Sequence, residues 1–466
     1  MSRTHQIALL SLASISTIST IALAGPDLVC SEIGSAASFG SADGLVSYAF
    51  ATTLCNVGDE PITWNANTNE HPIISQTLYK LSDGQITQIG IGHVRHMSFA
   101  LESNACGLGC TPAGSNMLGA GCSTTSAGTI NGSQGLMGPR SEIESNDGFF
   151  PYPFDSINQA GDPVYKRLRA TIADVSDQDA LYFVETQVVT PGETTTESKA
   201  NNASYRQVLF SPGTASATLT GPTYSGQPAI NAWRDHGLGI NQPDTSVIIT
   251  QATTPNGGIV HLGSKATLTG TIDDIEYYRY DYALHNLNED HNIQQIRPDI
   301  FNGNQISGST FDAADHHDGL DELISDTPWA FSASSIGFGR GVLAWYVNED
   351  FETNPLANVI RWGTMHTFSC EGPYKPTTGD TTITLYEPND LDELDQVVIH
   401  SVTPGQLQIC GGDVNADGAV DFFDISLFLD QYANHSPSAD FTQDGQLDFF
   451  DISAFLDAFA QDCPLP

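Results

Sequence analysis

Apolar and polar residues alternate with a period of two along much of this chain. Val46, Tyr48, Phe50, Thr52 and Leu54 are separated by small residues, the pattern of a half-buried strand. Thr77 to Leu81 and Ile86 to Ile91 flank Ser82-Asp83-Gly84-Gln85, a hairpin signal through its Asp-Gly. Val164 to Val175, Leu181 to Val189 and Tyr205 to Phe210 read as further strands. The polar stretch Thr190 to Asn202 is a long loop between the last two. Residues 211–245 carry Ser-Pro-Gly, Gly-Pro and Gln-Pro punctuation with little periodicity, which predicts a linker or boundary over 213–245. Strand patterns resume at Val247 to Thr250, Ile259 to Thr269, Tyr277 to Asn286, Gly341 to Val347, Val359 to Cys370 and Thr381 to Tyr386. Many short strands with Gly/Pro turns predict a mainly β chain of two β-sandwich-like domains, residues 25–212 and 246–405.

Two stretches break this pattern near the N-terminal half. Arg3 followed by the apolar run Ile7 to Leu23 and the small-x-small site Ala22-Leu23-Ala24 reads as a secretory signal, residues 1–24, with the mature chain starting at Gly25. The run is short and rich in hydroxyls for a membrane span, and no later segment is long and apolar enough for one. The expectation is an extracellular, soluble or cell-surface-associated protein. Residues 103–148 are rich in Gly, Ser and Asn and carry Cys106, Cys110 and Cys122. A loop of that length is uncommon unless functional or disordered. All eight Cys follow the cleavage site, so disulfides are expected, with buried free thiols as the alternative and connectivity open.

Charge changes the picture further. The chain has 55 acids against 16 bases, a formal charge of −39, which excludes a nucleic-acid-binding role and attraction to anionic membranes. From Pro376 onward there is no Lys or Arg, while Asp and Glu number 17.

Those acids are ordered. Asp421 to Ala433 matches Asp448 to Ala460 at ten of 13 positions, 27 residues apart, and such a duplication is an architecture in itself. Each copy ends an oxygen-rich loop. The first runs Asp413, Asn415, Asp417, Gly418, Ala419, Asp421, Asp424. The second runs Asp440, Thr442, Asp444, Gly445, Gln446, Asp448, Asp451. Numbered from the first Asp, oxygen side chains fall at positions 1, 3, 5, 9 and 12, with Gly at 6, as in the EF-hand loop. Calcium takes six to eight oxygens, and the backbone carbonyls of Ala419 and Gln446 supply position 7. Two Ca2+ sites are therefore expected. Ile425, Phe428, Leu429 and Tyr432, and again Ile452, Phe455, Leu456 and Phe459, form two helical stripes that pack together.

These residues resemble the type I dockerin family, which carries two such loops, each followed by a helix. The resemblance covers only residues 410–463 or so. Asp413-x-Asn415-x-Asp417-Gly418 is its specific part, and Thr442 departs from it. The resemblance implies docking onto a cohesin-like or other surface protein, in a setting of polysaccharide degradation. Family recognition positions 10 and 11 are usually small and polar, but are Phe422-Phe423 and Phe449-Phe450 here. Those pairs are either core or an apolar docking surface.

No nucleophile elbow, zinc-protease helix, phosphate loop or dinucleotide fingerprint is present upstream. His93-Val-Arg-His96 has i, i+3 spacing, but at a strand end its rings point to opposite faces. Asp312 to Asp321 (DAADHHDGLD) reads as a metal-binding cluster or a solvated acidic turn. Glu142, Glu144, Glu276 and Asp281 are dispersed carboxylates, and Trp233, Trp329, Trp345 and Trp362 line a groove or fill the core. The leading expectation is a non-catalytic, secreted calcium-binding protein. Its module tethers β-rich domains that bind or display something, carbohydrate included. The alternative is an extracellular glycoside hydrolase, or a carbohydrate-binding component, carrying a dockerin.

Overall fold

The computed structural model describes residues 25–272, 275–300, 303–317, 323–337, 340–388, 395–407, 412–415, 420–442 and 446–460. The expected signal segment, Cys410 and Cys463 lie outside them. The described residues are mainly β-strand, with a small helical region at the C-terminal end.

The first body is an antiparallel sheet. Its main path runs Leu28–Ala42, Leu45–Asn56, Leu168–Thr171, Gln85–Ile91, Ile73–Ser82, Leu181–Val189, Ala203–Phe210, Ala217–Tyr224. The Asp83-Gly84 hairpin forms as expected. Both residues take positive φ, 52° and 77°, which a two-residue type I′ turn needs. The sheet folds over until its end strands meet. Arg206 Nη1 donates to Ile33 O at 2.6 Å, and the Ile33 N–H donates to Thr223 Oγ1 at 3.0 Å. Inside lie Tyr48, Phe50, Leu54, Ile74, Leu78, Val184 and Val188.

Several sequence expectations are corrected here. The stretch 213–245 is not simply a linker. Ala217–Tyr224 is the last strand of the first sheet, and the short helix Asn231–Asp235 buries Trp233. Proline and glycine punctuation marked the turns around these elements and hid them. Only Leu168–Thr171 of the stretch Val164 to Val175 is strand; Lys166 takes a φ of 65° before it, and Asp174–Ser176 forms a 3-10 turn after it. The disulfides expected for the Cys-bearing loop 103–148 are present and give it a shape. Ser123–Ser126 pairs with Leu45–Asn56, and the disulfides Cys55–Cys106 and Cys110–Cys122 hold the loop to the sheet and to itself. Cys30 and Cys370 are buried free thiols.

The second body is a sandwich of two five-stranded antiparallel sheets. One is ordered Ile248–Thr253, Ile259–Ile272, Ile275–Asn286, Thr364–Gly372, Ser307–Ala313. The other is ordered Ala330–Gly337, Arg340–Tyr346, Ile293–Pro298, Tyr374–Leu385, Gln396–Leu407. Tyr280, Tyr282 and Leu284 point inward against Trp345, Phe368 and Ile383. The Tyr282 hydroxyl donates to Val402 O at 3.0 Å, tying one sheet to the other.

Period-two alternation also explains how the two bodies join. Leu78 and Val184 face the first core, so Tyr79 and Phe183 face the other way. Tyr280 and Leu284 face the second core, so Ala283 and His285 face out. Of these, Tyr79, Phe183 and Ala283 meet Trp233, Ile230, Val247 and Met365 in one buried layer. The Trp233 indole donates to Gly84 O at 2.7 Å. Arg140 lies over the Trp362 ring at 4.2 Å and donates to the Trp362 carbonyl at 2.8 Å, and the Trp362 indole donates to the Arg140 carbonyl at 3.0 Å. All four candidate groove tryptophans, Trp233, Trp329, Trp345 and Trp362, are buried.

A carboxyl is buried in the same junction. Glu185 accepts from the Ala229 N–H at 2.6 Å, with His285 Nε2 at 3.8 Å. Burial pushes Glu185 up to about 7, opposed chiefly by the Ala229 N–H. Burial holds His285 well below the usual imidazole range. Removal of the Trp233 ring empties the layer shared by both bodies. Trp233→Ala is expected to cost about 3–5 kcal/mol and to split one calorimetric unfolding transition into two. A single transition at unchanged temperature would show that the layer does not couple the bodies. Glu185 binds a proton more tightly folded than unfolded, so its contribution is present at acidic pH and is lost as pH rises through about 7. Glu185→Gln is therefore expected to exceed the parent in stability by roughly 2–3 kcal/mol at pH 8, with the gap closing by pH 4. A pH-independent difference in denaturant midpoints would contradict this.

Candidate metal centre

The two helices follow their loops as the repeat predicts, at Phe422–Ala433 and Phe449–Phe459. Each opens on a reciprocal cap. Asp421 accepts from the Phe423 N–H at 2.8 Å, and Asp424 accepts from the Asp421 N–H at 2.9 Å. Asp448 and Asp451 repeat this, with Phe450 N–H to Asp448 at 2.8 Å and Asp448 N–H to Asp451 at 2.8 Å. An N-cap Asp with an acid three residues on satisfies two orphan helix donors at once, and carboxylates there suit the positive helix end.

The same acids reach back across their loops. Asp424 Oδ1 accepts from the Asn415 N–H at 3.0 Å, and Asp451 Oδ1 from the Thr442 N–H at 3.0 Å. In the second loop the Thr442 hydroxyl lies 3.0 Å from Asp451 Oδ1 and 3.4 Å from Asp440 Oδ1. Positions 1, 3 and 12 of the second loop are thus drawn together. Hydrogen bonds from the Asp448 and Thr442 amides hold Asp451 below the usual carboxylate range. Asp424 and Asp451 are fully buried and Asp413 is nearly so, in a region whose sequence contains no Lys or Arg. That donor chemistry fits a hard cation. Gln446 is among the described residues, whereas Asp417, Ala419 and Asp444 lie outside them. Among the described residues no set of three or more His, Cys, Asp and Glu side chains is arranged to hold a metal ion.

The core of this region is small. Phe428 and Phe455 stack at 4.1 Å, with Phe441 edge-on to both. Ile425, Tyr432, Ile452 and Phe459 pack around them. Leu429 and Leu456, expected in the apolar stripes, are exposed instead, outside the contact that centres on Phe428 and Phe455. Phe422, Phe423, Phe449 and Phe450 are not core either. They are 72, 66, 72 and 67 % exposed.

The other sequence candidates disperse. His96 stacks on His71 at 4.0 Å and bonds the Thr68 carbonyl at 3.0 Å, while His93 turns the other way. Of DAADHHDGLD, residues 312–317 are described. Asp281 is paired with Arg279 at 2.9 Å, and Glu276 accepts from the Tyr278 hydroxyl at 2.8 Å. Glu142 ends the 3-10 turn Arg140–Glu142, and Glu144 bridges to Phe149. Sequence reasoning missed a cleft of about 600 Å³ between the two bodies, lined by Glu144, Asp147, Asp290, His291, Arg361 and Glu387 among others. Asp290 is the clasp at its edge, accepting from Ser145 N–H at 2.7 Å, Ser145 Oγ at 2.8 Å and Asn146 N–H at 3.0 Å. Burial raises both Asp290 and Glu387 above the usual carboxylate range. No single-residue signal marks such a cleft, since its walls come from segments more than a hundred residues apart.

No protein-family model matches the chain, and no curated protein matches it. Among solved structures, the C-terminal domain of the Streptococcus pyogenes antigen I/II-family protein AspA is similar at 10% identity. That match covers 82% of this chain and all of the other, with a TM-score of 0.16. A chain designated BspA_C_mut is similar at 9% identity over 81% of this chain and 98% of its own, also with a TM-score of 0.16. Overlap at these scores carries no argument about fold or function.

Proposed function

We propose that this is an exported calcium-binding protein whose C-terminal repeat tethers its β-rich bodies to a partner or a cell surface. The observation that carries the reading is the pair of exposed Phe dipeptides at equivalent helix starts. A contiguous exposed apolar surface marks an interaction site. The surrounding region is acidic without a single base, so the surface that fits it is apolar with a basic rim. Docking of this kind differs from the polar recognition expected of a cohesin pair. It relies on burial of phenyl rings at one or both ends of a near-symmetric module.

In this reading Asp413, Asn415, Asp417, the Ala419 carbonyl, Asp421 and Asp424 hold one calcium ion. Asp440, Thr442, Asp444, the Gln446 carbonyl, Asp448 and Asp451 hold the second. The ions offset repulsion among clustered carboxylates around a very small apolar core, so calcium binding contributes directly to folding. Export is supported by the two disulfides and the expected leader. Among the described residues no helix is long and apolar enough to cross a membrane. The β bodies bind or display a ligand, with carbohydrate one class that a polar cleft suits. For the glycoside-hydrolase alternative the cleft offers little. Asp290 is engaged as a clasp, and Glu289 accepts from Thr254 Oγ1 and from the His291 N–H at 2.8 Å.

Calorimetric titration of the full chain with calcium is expected to show two binding events. Asp424→Asn should remove one and Asp451→Asn the other. No heat at millimolar calcium would end the reading. Replacing Phe422, Phe423, Phe449 and Phe450 together by Ser should leave both calcium events intact while releasing the protein from the surface of the exporting cell. Undiminished retention would assign docking to another face.

A further inference from the structure

A cross-strand pair of histidines is sealed between the two bodies. His261 and His285 stand opposite each other on the adjacent strands Ile259–Ile272 and Ile275–Asn286, with ring centroids 5.8 Å apart. Leu262 and Leu284 beside them face the second core, so both imidazoles face the other way, toward the first body. That face is covered. Ile259 packs against Ala203 and Ala200 of the first body, and the Trp233 ring lies 3.0 Å from where a Cβ on Gly263 would stand. His261 lies between those two contacts on the same face of its strand. His285 Nε2 is 3.8 Å from Glu185 Oε1, beyond hydrogen-bond reach. Both histidines are buried. Among the described residues neither nitrogen of His285, nor Nδ1 of His261, has a hydrogen-bond partner. The charged groups across the junction are Glu185 and Arg140. The flanking strands set neutral Gln251 and Met365 alongside.

We propose that this pair makes the junction an acid-sensitive seal, closed while both imidazoles are neutral and opened by their protonation. A charge without a partner in a buried layer is costly. The junction is the layer that yields, because each body keeps a core of its own on the far side of these strands. The direction follows from the groups present. Burial lowers His261 to about 4. Burial first, then His261 and Arg140, hold His285 well below the usual imidazole range. Below the ordinary imidazole value of 6.5, an opened junction therefore binds two protons that the closed one does not. Each such proton favours opening about tenfold per pH unit. Glu185 acts in the opposite sense. Burial raises it from 4.5 to about 7, so the closed form holds its proton more tightly, and acid favours closure through that group. Between pH 6.5 and 4.5 two protons favour opening and one opposes it, which leaves a net factor of about ten per pH unit.

The test is hydrogen exchange of the full chain in excess calcium across this pH range, corrected for the intrinsic pH dependence of exchange. It is read at the peptide carrying Met365, whose N–H bonds Gln88 Oε1 across the junction at 3.0 Å. Protection is expected to fall about tenfold per pH unit from pH 6.5 to 4.5. His285→Gln leaves one proton on each side of the balance and should flatten the fall. His261→Gln with His285→Gln leaves only Glu185 and should turn the fall into a rise. Constant protection in the parent, or a fall as steep in the double variant, overturns the proposal. Should the variants fail to fold by far-ultraviolet circular dichroism, the unsubstituted protein decides. Protection lost at Met365 but kept in the strand Leu45–Asn56 supports the seal, and parallel loss in both overturns it.

Discussion

The structure depends on one buried layer between its two β bodies. Tyr79 and Phe183 from the first meet Ala283 and Met365 from the second, with Trp233 and Ile230 wedged between them. Strands that alternate apolar with polar residues usually leave one face wet. Here the inner strands Ile73–Ser82, Leu181–Val189 and Ile275–Asn286 are buried on both faces over much of their length. Burying a large aromatic side chain is worth about 1.5–3 kcal/mol, and several share this layer. The two bodies are therefore neighbours within one packed unit.

Polar groups trapped in that layer set its tolerances. Arg140 is satisfied by stacking on Trp362 and by a carbonyl at 2.8 Å. Gln88 bonds Gly363 O at 3.3 Å and accepts the Met365 N–H at 3.0 Å. A buried polar group without a partner costs about 1–3 kcal/mol, so such crossed bonds specify register between the bodies. Glu185 is the exception. Its partners do not offset its burial, and it holds its proton to about pH 7. The cleft and the His93–His317 contact lie at the margin of this layer, where packing gives way to solvent.

The C-terminal region follows opposite physics. Its core is three stacked or edge-on phenyl rings with a few aliphatic neighbours, too little to offset chain entropy unaided. Most of its specification lies in carboxylates that cap helices and gather loop amides. That economy leaves four Phe rings outside, where a core-poor module can use them only against another surface.

Local patterns in the sequence sufficed for local structure. Period-two runs located the hairpin at Asp83-Gly84 and the strands around Phe50, Phe183 and Tyr282. The duplicated Asp421 and Asp448 segments located two helices and their caps. These are short-range consequences of backbone geometry and cap chemistry, which need only neighbours in the chain. What the fold alone decided needed partners far away in sequence. Trp233 in a Pro/Gly-rich stretch became core because two sheets close over it. Phe422 and Phe449 stayed outside because the two helices meet further along, around Phe428 and Phe455. His93 and His317 came into ring contact because the fold brings the segments after Gln85–Ile91 and Ser307–Ala313 to the same junction. Hydrophobic pattern tells which residues leave water, but which surface receives them is set by packing between elements that the sequence does not place side by side.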